Sequence, residues 1–294
     1  MPTELNRILR GELPCWEIRH RNQTLVIAEQ GAQVLEYQHD GEPPVIWLSE
    51  QAAYHSGQAV RGGVPVCWPW FGALERNPEA VRQPYSLRKP PAHGLVRNRP
   101  WERVSQQLDP DTATLVFRLA GPHHDDLPAV TPTLTVSLDT ALTLSLTNHN
   151  HGHEPVTLSQ ALHSYFAVAD SRQVRIQGLD ACPYVDALDD WRRHQQHGAL
   201  SLQAETDRLY LALPNLLHID DPVWQRRISL AVSGSRSAVI WNPWTTKSDR
   251  LSQFAGDAWQ HMLCIETARV LDDVLTLAPG QRHEMAVRFM TSAL

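Results

Sequence analysis

Alternation of apolar and polar residues is the feature that most constrains this chain. In "TLTVSLDTALTLSLTN", residues 133–148, Leu and Val alternate with polar residues, and the pattern restarts after Asp139. Successive side chains of a β-strand point to opposite faces, so the pattern predicts an antiparallel hairpin that turns near Asp139. The residues predicted to share its buried face are Leu134, Val136, Leu138, Leu142, Leu144 and Leu146.

The same short alternating runs recur along the chain, separated by Gly, Pro, Asn and Asp. They are "TLVIAEQGAQVLEYQ", "TATLVFRLA", "QVRIQGL", "RLYLAL", "RISLAVSGSRSAVIW", "VLTLAPG" and "HEMAVRFM". Helical patterns are scarce: we expect one in the first dozen residues and a short turn in "SDRLSQFAGDAWQHM". The spacing favours an all-β antiparallel sandwich or barrel over a parallel βαβ fold.

Composition is consistent with an ordinary globular protein. The chain has 294 residues, of which 42% are hydrophobic and 20% charged, and no linker, repeat or low-complexity segment divides it. The simplest organisation is one large β-sandwich domain over residues 1–294.

Charge and cysteine content exclude several classes of function. The net charge is −6 with no basic run, which argues against nucleic-acid binding. The four cysteines are far apart in sequence and form no C-x-x-C pair, so we expect isolated buried thiols. No apolar run is long enough to span a bilayer, and the first residues lack a signal-peptide core. We therefore expect a soluble, cytoplasmic protein without membrane contact. Separately, we expect a monomer.

One loop stands apart from the strands. The segment "RGGVPVCWPWFG", residues 61–72, places three glycines, two prolines and two tryptophans behind Arg61. Glycine permits tight turns and proline restricts the backbone, so the segment is predicted to hold the Arg61 side chain in a fixed place. Its aromatic residues are predicted to form a buttress and a wall for a cleft, although core packing explains each ring equally well.

Three further polar positions have both a structural and a chemical explanation. His93 and Arg97 lie in the proline-bounded "PAHGLVRNRPW" and, with Arg61, could bind an anion, although solvated side chains are the more common case. His163 lies in the apolar run "LSQALHSYFAV", where a hydrogen-bonded core histidine is the default. Glu266 lies in "HMLCIETARV", where a buried carboxylate needs a partner or a task.

Other chemistries have little support. No G-x-S-x-G segment or catalytic cysteine context is present, and no glycine loop opens a βαβ unit, which argues against covalent catalysis and nucleotide cofactors. The histidine-rich segments "GPHHDD" and "NHNHGHEP" contain residue types that bind metals. They lie in hydrophilic, turn-rich sequence without helical ligand spacing, so solvated turns are the favoured explanation.

An ordered series of segments resembles the hexose-6-phosphate mutarotases, the glucose-6-phosphate 1-epimerase branch of the aldose-epimerase superfamily. The series is "RGGVPVCWPWFG" at 61, "AHGLVRNRPW" at 92, "ALHSYFAV" at 161, "ETDRLY" at 205, "WNPW" at 241 and "CIETA" at 264. The resemblance implies a single antiparallel β-supersandwich with a sugar site on its concave face. It also implies an isomerase that needs no metal or organic cofactor.

The resemblance assigns roles by position in these motifs. It implies that His163 and Glu266 are the catalytic pair, that Asp207 holds sugar hydroxyls, and that His93 lies near the sugar ring. Arg61 and Arg97 match the arginines that contact the 6-phosphate. The second motif departs from the family's H-G-F-A-R pattern, because Leu95 and Val96 stand between the glycine and the arginine. That difference affects the predicted shape of the cleft wall and does not affect the predicted anion site.

The implied reaction is ring opening and reclosure by general acid–base catalysis. Glu266 would remove the proton of the anomeric hydroxyl while His163 protonates the ring oxygen, and we expect Glu266 and phosphate to raise the pKa of His163 for this task. Lys247 is a weaker candidate for the anion, and residues 73–91 could form a lid or rim. Two alternatives stay open: a mutarotase for unphosphorylated aldoses, and a non-catalytic sugar-phosphate-binding protein.

Overall fold

Antiparallel β-strands make up most of the structure. The computed structural model describes residues 3–120 and 127–294. Its first strands, in chain order, are β1 (Glu4–Arg10), β2 (Leu13–His20), β3 (Gln23–Ala28), β4 (Val34–His39), β5 (Val66–Cys67), β6 (Trp101–Leu108), β7 (Ala113–Leu119), β8 (Val130–Leu138), β9 (Leu142–Asn150), β10 (Val156–Leu158) and β11 (Gln160–Leu162). The remaining strands are β12 (Tyr165–Ala167), β13 (Arg175–Gln177), β14 (Pro183–Asp186), β15 (Arg192–Gln195), β16 (Thr206–Tyr210), β17 (Leu216–Asp221), β18 (Arg226–Ser233), β19 (Ser237–Asn242), β20 (Met262–Arg269), β21 (Leu275–Leu277) and β22 (Arg282–Ala293).

Helices are few and short. The α-helices are α1 (Glu79–Arg82) and α2 (Trp244–Ser248), and the 3₁₀ turns are Leu74–Arg76, Ala258–His261 and Leu271–Asp273. The turn Ala258–His261 lies within the segment where a short turn was predicted. Among the described residues, no helix has both the length and the apolarity to span a bilayer.

Two eight-stranded sheets form the main body. One, here called the site sheet, has the order β15-β14-β16-β19-β20-β11-β5, with β12 also paired to β20. The other, here called the back sheet, has the order β13-β17-β18-β22-β9-β8-β7-β6. Strands β1 to β4 form a four-stranded sheet, and β10 pairs with β21. The prediction of an all-β antiparallel fold is confirmed.

The core lies between the site sheet and the back sheet. The predicted hairpin is β8–β9, with Leu138 paired to Leu142 and Val136 to Leu144 across it. Its six predicted apolar side chains are all buried in the largest cluster, which also contains Leu263 and Ile265 of β20. Because side chains alternate along a strand, Cys264 and Glu266 lie on the other face of β20. The packing of the core therefore determines which residues reach the outer face of the site sheet.

The N-terminal segment differs from its prediction. Residues 1–12 were expected to contain a helix, but Glu4–Arg10 is strand β1, paired along its whole length with β2. Leu5, Ile8 and Leu9 have the spacing of a helical face, yet Leu9 is 71% exposed. Pairing with β2 and packing of Leu5 and Ile8 against apolar clusters outweigh that local pattern.

Candidate functional site

A cavity of about 330 Å³ opens at the outer face of the site sheet. That volume suits a small organic ligand. The sequence-predicted residues that line it are Arg61, His93, His163, Asp207, Lys247 and Glu266. These residues lie many tens of positions apart in the sequence. The pairing of β16, β19 and β20 with the strands around His163 brings them into one site.

The loop of residues 61–72 holds Arg61 at one part of the cavity. Gly62 and Gly63 adopt φ values of +103° and +70°, and a Cβ at Gly63 would lie 2.2 Å from the Val34 carbonyl oxygen. Only glycine permits both the conformation and the close approach. Arg61 donates from Nε to the Ser252 carbonyl at 3.3 Å and from Nη1 to the Tyr165 hydroxyl at 3.5 Å. The predicted fixed placement of Arg61 agrees with these contacts.

The loop that carries His93 and Gly94 packs directly on the loop of residues 61–72. Gly94 has φ +79°, and a Cβ there would lie 2.0 Å from the Trp68 carbonyl oxygen. His93 Nδ1 accepts from the Gly72 backbone N–H at 3.4 Å and faces the Cys67 thiol at the same distance. Burial, together with the charges of Arg97 and Arg61, lowers the pKa of His93 to about 3. The ring is therefore neutral, and its proton is assigned to Nε2 because Nδ1 is the acceptor.

Arg97 is not brought into the cavity lining. Its charge is near enough to lower the pKa values of both His93 and His163. The structure thus separates the two arginines that sequence reasoning grouped together: Arg61 lines the cavity, and Arg97 acts on it only through its charge.

His163 and Glu266 form a close buried pair. His163 follows β11, where its backbone N–H donates to the Pro65 carbonyl at 2.9 Å, and Glu266 lies on the neighbouring strand β20. His163 Nε2 is 3.4 Å from Glu266 Oε1, and the residues are 8% and 1% exposed. The imidazole stacks on Tyr165, with ring centroids 4.8 Å apart and planes inclined by 8°. Packing thus fixes the ring that faces the carboxyl group.

Burial controls where the pair holds its proton. Desolvation raises the pKa of Glu266 well above its usual range, and the charge of Asp207 adds to that rise. Desolvation also lowers the pKa of His163 well below its usual value, and the charges of His93 and Arg97 add to that fall. The expectation was that Glu266 and a phosphate raise the pKa of His163; in the protein without phosphate, the pKa is lowered, chiefly by desolvation.

Both pKa shifts favour the uncharged forms, a protonated Glu266 and a neutral His163, which together hold one proton and no net charge. Transfer of that proton across the 3.4 Å gap creates a carboxylate and an imidazolium without changing the number of bound protons. The pair can therefore supply one acid and one base in either direction.

Asp207 and Lys247 form a charged edge beside this pair. Lys247 Nζ lies 3.0 Å from Glu205 Oε1 and 3.8 Å from Asp207 Oδ2. Burial raises the pKa of Asp207 to about 6, against the opposing effect of Lys247. Lys247 sits on α2, whose first residue is positioned by a hydrogen bond from the Trp244 N–H to Asn242 Oδ1. Its charge is thus already shared between two carboxylates.

Arg76 is a cavity residue that sequence reasoning missed. It belongs to the 3₁₀ turn Leu74–Arg76 within residues 73–91, and its guanidinium carbon lies 5.2 Å from the centroid of the Trp191 ring. Both side chains line the cavity. Neither Arg76 nor Arg61 forms an ion pair with a carboxylate among residues 3–120 and 127–294. The 73–91 segment therefore contributes a rim that carries a positive charge.

The aromatic residues divide between core and wall. Trp68 and Trp70 are fully buried, and their indole N–H groups donate to Asn148 Oδ1 at 2.8 Å and to the Pro91 carbonyl at 3.0 Å. They support the loop and do not form the wall. The rings that line the cavity are Phe71, Tyr165, Trp191 and Trp241. Trp191 had no sequence signal, because only the β14–β15 turn brings it beside the first loop.

Metal-ligating residue types gather at one place in the described chain. The segment "GPHHDD", residues 121–126, lies outside the described residues, and "NHNHGHEP" forms no group of three possible ligands in the part the structure describes. The one such group among residues 3–120 and 127–294 consists of His163, Cys264 and Glu266. All four cysteines are free and buried, as predicted.

Comparisons with known proteins agree with this architecture. A protein from Escherichia coli K12 with the provisional name glucose-6-phosphate 1-epimerase is 31% identical over 268 residues, which cover 90% of this chain and 86% of the relative. A crystal structure from Salmonella typhimurium, provisionally described as a mutarotase, superposes with a TM-score of 0.86 at 26% identity, covering 99% of this chain and 94% of the other.

Similarity of fold extends further than similarity of sequence. A galactose mutarotase-like protein from Clostridium acetobutylicum shares the fold at 14% identity, with a TM-score of 0.75 and coverage of 100% of this chain and 99% of the other. The family model described as aldose 1-epimerase matches residues 14–290. The chain therefore belongs to the aldose 1-epimerase family, a family of sugar-converting isomerases.

Proposed function

We propose that this enzyme interconverts the α and β anomers of a hexose 6-phosphate, with glucose 6-phosphate as the first candidate. The observation that carries the proposal is the buried His163–Glu266 pair, at 3.4 Å, in a cavity that also contains the guanidinium groups of Arg61 and Arg76. Neither guanidinium forms an ion pair with a carboxylate of the described residues. An acid–base pair suits anomerisation, and guanidinium groups that are not paired with carboxylates suit a phosphate. The names of the relatives support the same substrate.

Ring opening needs one proton removed and one delivered. The Glu266 carboxylate takes the proton of the C1 hydroxyl while the His163 imidazolium protonates the ring oxygen, and the C1–O5 bond breaks to give the aldehyde. After rotation about C1–C2, neutral His163 removes the proton of the C5 hydroxyl and Glu266 returns its proton to the aldehyde oxygen. The pair ends with the same proton count, so the cycle needs no outside acid or base.

The other cavity residues orient the sugar. The neutral ring of His93 can donate one hydrogen bond from Nε2, and Asp207 can accept from sugar hydroxyls when ionised. Arg61 is proposed to bind the phosphate with its fork of donors, which fixes the substrate relative to the acid–base pair. Trp241 and Phe71 offer apolar faces to the pyranose ring. Arg97 is proposed to support this anion site from outside the lining.

Loss of either member of the pair tests the chemistry. We expect Glu266→Gln and His163→Gln each to lower the catalysed anomerisation of α-glucose 6-phosphate by about 10²- to 10⁴-fold, because each removes one proton-transfer group. Polarimetry or an anomer-specific coupled assay gives the rate. Glu75→Gln, an exposed carboxylate outside the lining, is the matched control and should keep the wild-type rate. A full rate in Glu266→Gln would contradict the proposal.

Substrate choice is tested separately. We expect glucose 6-phosphate to be converted with a higher kcat/KM than free glucose or galactose, because only the phosphorylated sugar engages Arg61. Equal values for all three would instead favour the mutarotase for unphosphorylated aldoses. Binding of glucose 6-phosphate without any conversion would favour the non-catalytic binding protein.

A further inference from the structure

The third member of the His163 group has no part in the proposed reaction. Cys264 precedes Glu266 by two residues on β20, so the two side chains lie on the same face, and it pairs in register with Tyr165 of β12. One ligand atom from each of His163, Cys264 and Glu266 lies within 4.8 Å of the other two. The thiol therefore borders the acid–base pair from within the sheet.

Polar atoms in this group lack partners. Glu266 Oε2 and His163 Nδ1 are buried and make no hydrogen bond within the described chain. Glu266 is 1% exposed and His163 8% exposed, so neither atom is compensated by bulk solvent. A buried polar atom without a partner destabilises the fold. These two side chains are therefore incompletely satisfied by the described chain.

The donor set matches a borderline-soft divalent cation. Imidazole nitrogen, thiolate sulfur and carboxylate oxygen are the ligands that Zn²⁺ prefers, with bonds of about 2.0–2.3 Å. Tetrahedral geometry at those lengths separates ligand atoms by about 3.3–3.7 Å, so the group must contract by about 1 Å. His163 Nε2 and Glu266 Oε1, at 3.4 Å, already have this separation. A thiolate and a carboxylate also balance the charge of the cation.

Access and an open coordination position come from the cavity. His163 and Glu266 line it, whereas Cys264 is fully buried behind them. A cation entering from the cavity would therefore meet the nitrogen and oxygen first and the sulfur last. Its fourth position would face the cavity and keep a water molecule or a sugar hydroxyl.

We propose that His163, Cys264 and Glu266 bind Zn²⁺ or a similar thiophilic divalent cation, and that this binding inhibits the enzyme. The cation exchanges water ligands for the three side chains, and the thiol proton and any carboxyl proton pass to solvent, with no redox change. Occupancy removes both members of the acid–base pair from catalysis. The inhibition rests on the proposed function, whereas the binding of the metal does not.

Co²⁺ provides a test that does not depend on activity. Added to the 294-residue chain, Co²⁺ should produce a thiolate-to-cobalt absorption in the near ultraviolet, with one ion bound per chain by equilibrium dialysis. Cys264→Ala should lose the band, whereas Cys15→Ala, which removes a buried thiol in a separate cluster, should keep it. A wild-type protein that shows no band, or a band unchanged in Cys264→Ala, would overturn the site.

The second arm measures anomerisation in the presence of metal. Zn²⁺ should inhibit the wild-type and Cys15→Ala enzymes and Mg²⁺ should not, because a hard cation has little affinity for sulfur. Cys264→Ala should keep its rate without metal and need at least about tenfold more Zn²⁺ for half-inhibition, as loss of one ligand implies. Cys264→Ser serves the same purpose if the alanine variant folds poorly. Equal inhibition of all variants would refute the site, whereas a cobalt band in a protein without catalysis would refute only the proposed function.

Discussion

Asp207 is a carboxyl group whose pKa is raised from 3.8 to about 6, chiefly by burial and despite the nearby Lys247. The unfolded chain releases this proton at a lower pH than the folded chain does. Stability is therefore fully present below the unfolded pKa and is lost as the pH rises toward 6. The same burial that places the carboxyl group in the cavity lining thus destabilises the fold near neutrality.

We expect Asp207→Asn to be more stable than the wild type above pH 6, by up to about 2 kcal/mol after allowance for partial exposure. The difference should vanish near pH 4, and urea unfolding across that range measures it. Asp220→Asn provides the opposite control, since a hydrogen bond from Arg227 lowers the pKa of Asp220 and removal of that carboxylate should destabilise the protein above pH 4. A constant difference for Asp207→Asn at all pH values would contradict the assignment.

Substitutions of Arg61, Arg76 and Arg97 should change the KM for the substrate by different amounts. We expect Arg61→Gln to raise KM for glucose 6-phosphate by about tenfold to a hundredfold, since a charge-assisted hydrogen bond contributes about 1.5–3 kcal/mol. Arg76→Gln should raise it less, because Trp191 already holds the guanidinium, and Arg97→Gln should have the smallest effect. The KM for free glucose is the control, and it should match the wild-type value in all three variants. An effect of Arg97→Gln larger than that of Arg61→Gln would show that Arg97 contacts the substrate.

The loop of residues 61–72 is the element on which the site most depends. Its backbone passes so close to neighbouring strands that a Cβ at Gly63 would nearly coincide with the Val34 carbonyl oxygen, at 2.2 Å. The residue after it, Val64, donates its backbone N–H to that same carbonyl at 2.7 Å. The loop is thus attached to the four-stranded sheet as well as to the site sheet.

We expect Gly63→Ala to destabilise the protein by about 3 kcal/mol or more, because the methyl group forces the loop away from β4. Gly41→Ala is a matched control: it also has positive φ, at +77°, but no atom within 4 Å of the added Cβ. Gly41→Ala should lower the free energy of unfolding by only about 1–2 kcal/mol, through backbone strain. Thermal unfolding of both variants gives the comparison, and equal losses would show that strain alone explains the glycine.

Strands could be predicted from the sequence more fully than the shape of the loops. The alternating residues of β8 and β9 determined their pairing and buried face, because burial of one face leaves a single compatible register. The motifs also indicated which side chains gather at the site. The contact of Arg76 with Trp191 could not be found, because it depends on two turns whose relative position no local pattern encodes. The strand β1 was missed because its apolar spacing also fits a helix.

At the scale of the whole molecule, the described lining of the cavity comes from one chain. That chain supplies His163, Glu266, the guanidinium groups of Arg61 and Arg76 and the aromatic wall, so we propose that a monomer is sufficient for activity. Sedimentation should then show one species near 33.2 kDa. The rate per chain should stay constant on dilution. A rate that falls with dilution would show that assembly is required.

Arg76 lies in a part of the molecule whose sequence can change more freely than that of the sheets. Glu266 projects from β20 and His163 lies between β11 and β12, where the core behind the sheet fixes their positions. Arg76, by contrast, is carried by a surface segment that touches the body through a small cluster around Trp70 and Val81. Insertions and deletions in such a segment leave the sheets intact. Changes in the sequence of this rim could thus alter which sugar is preferred, while the reaction itself stays the same.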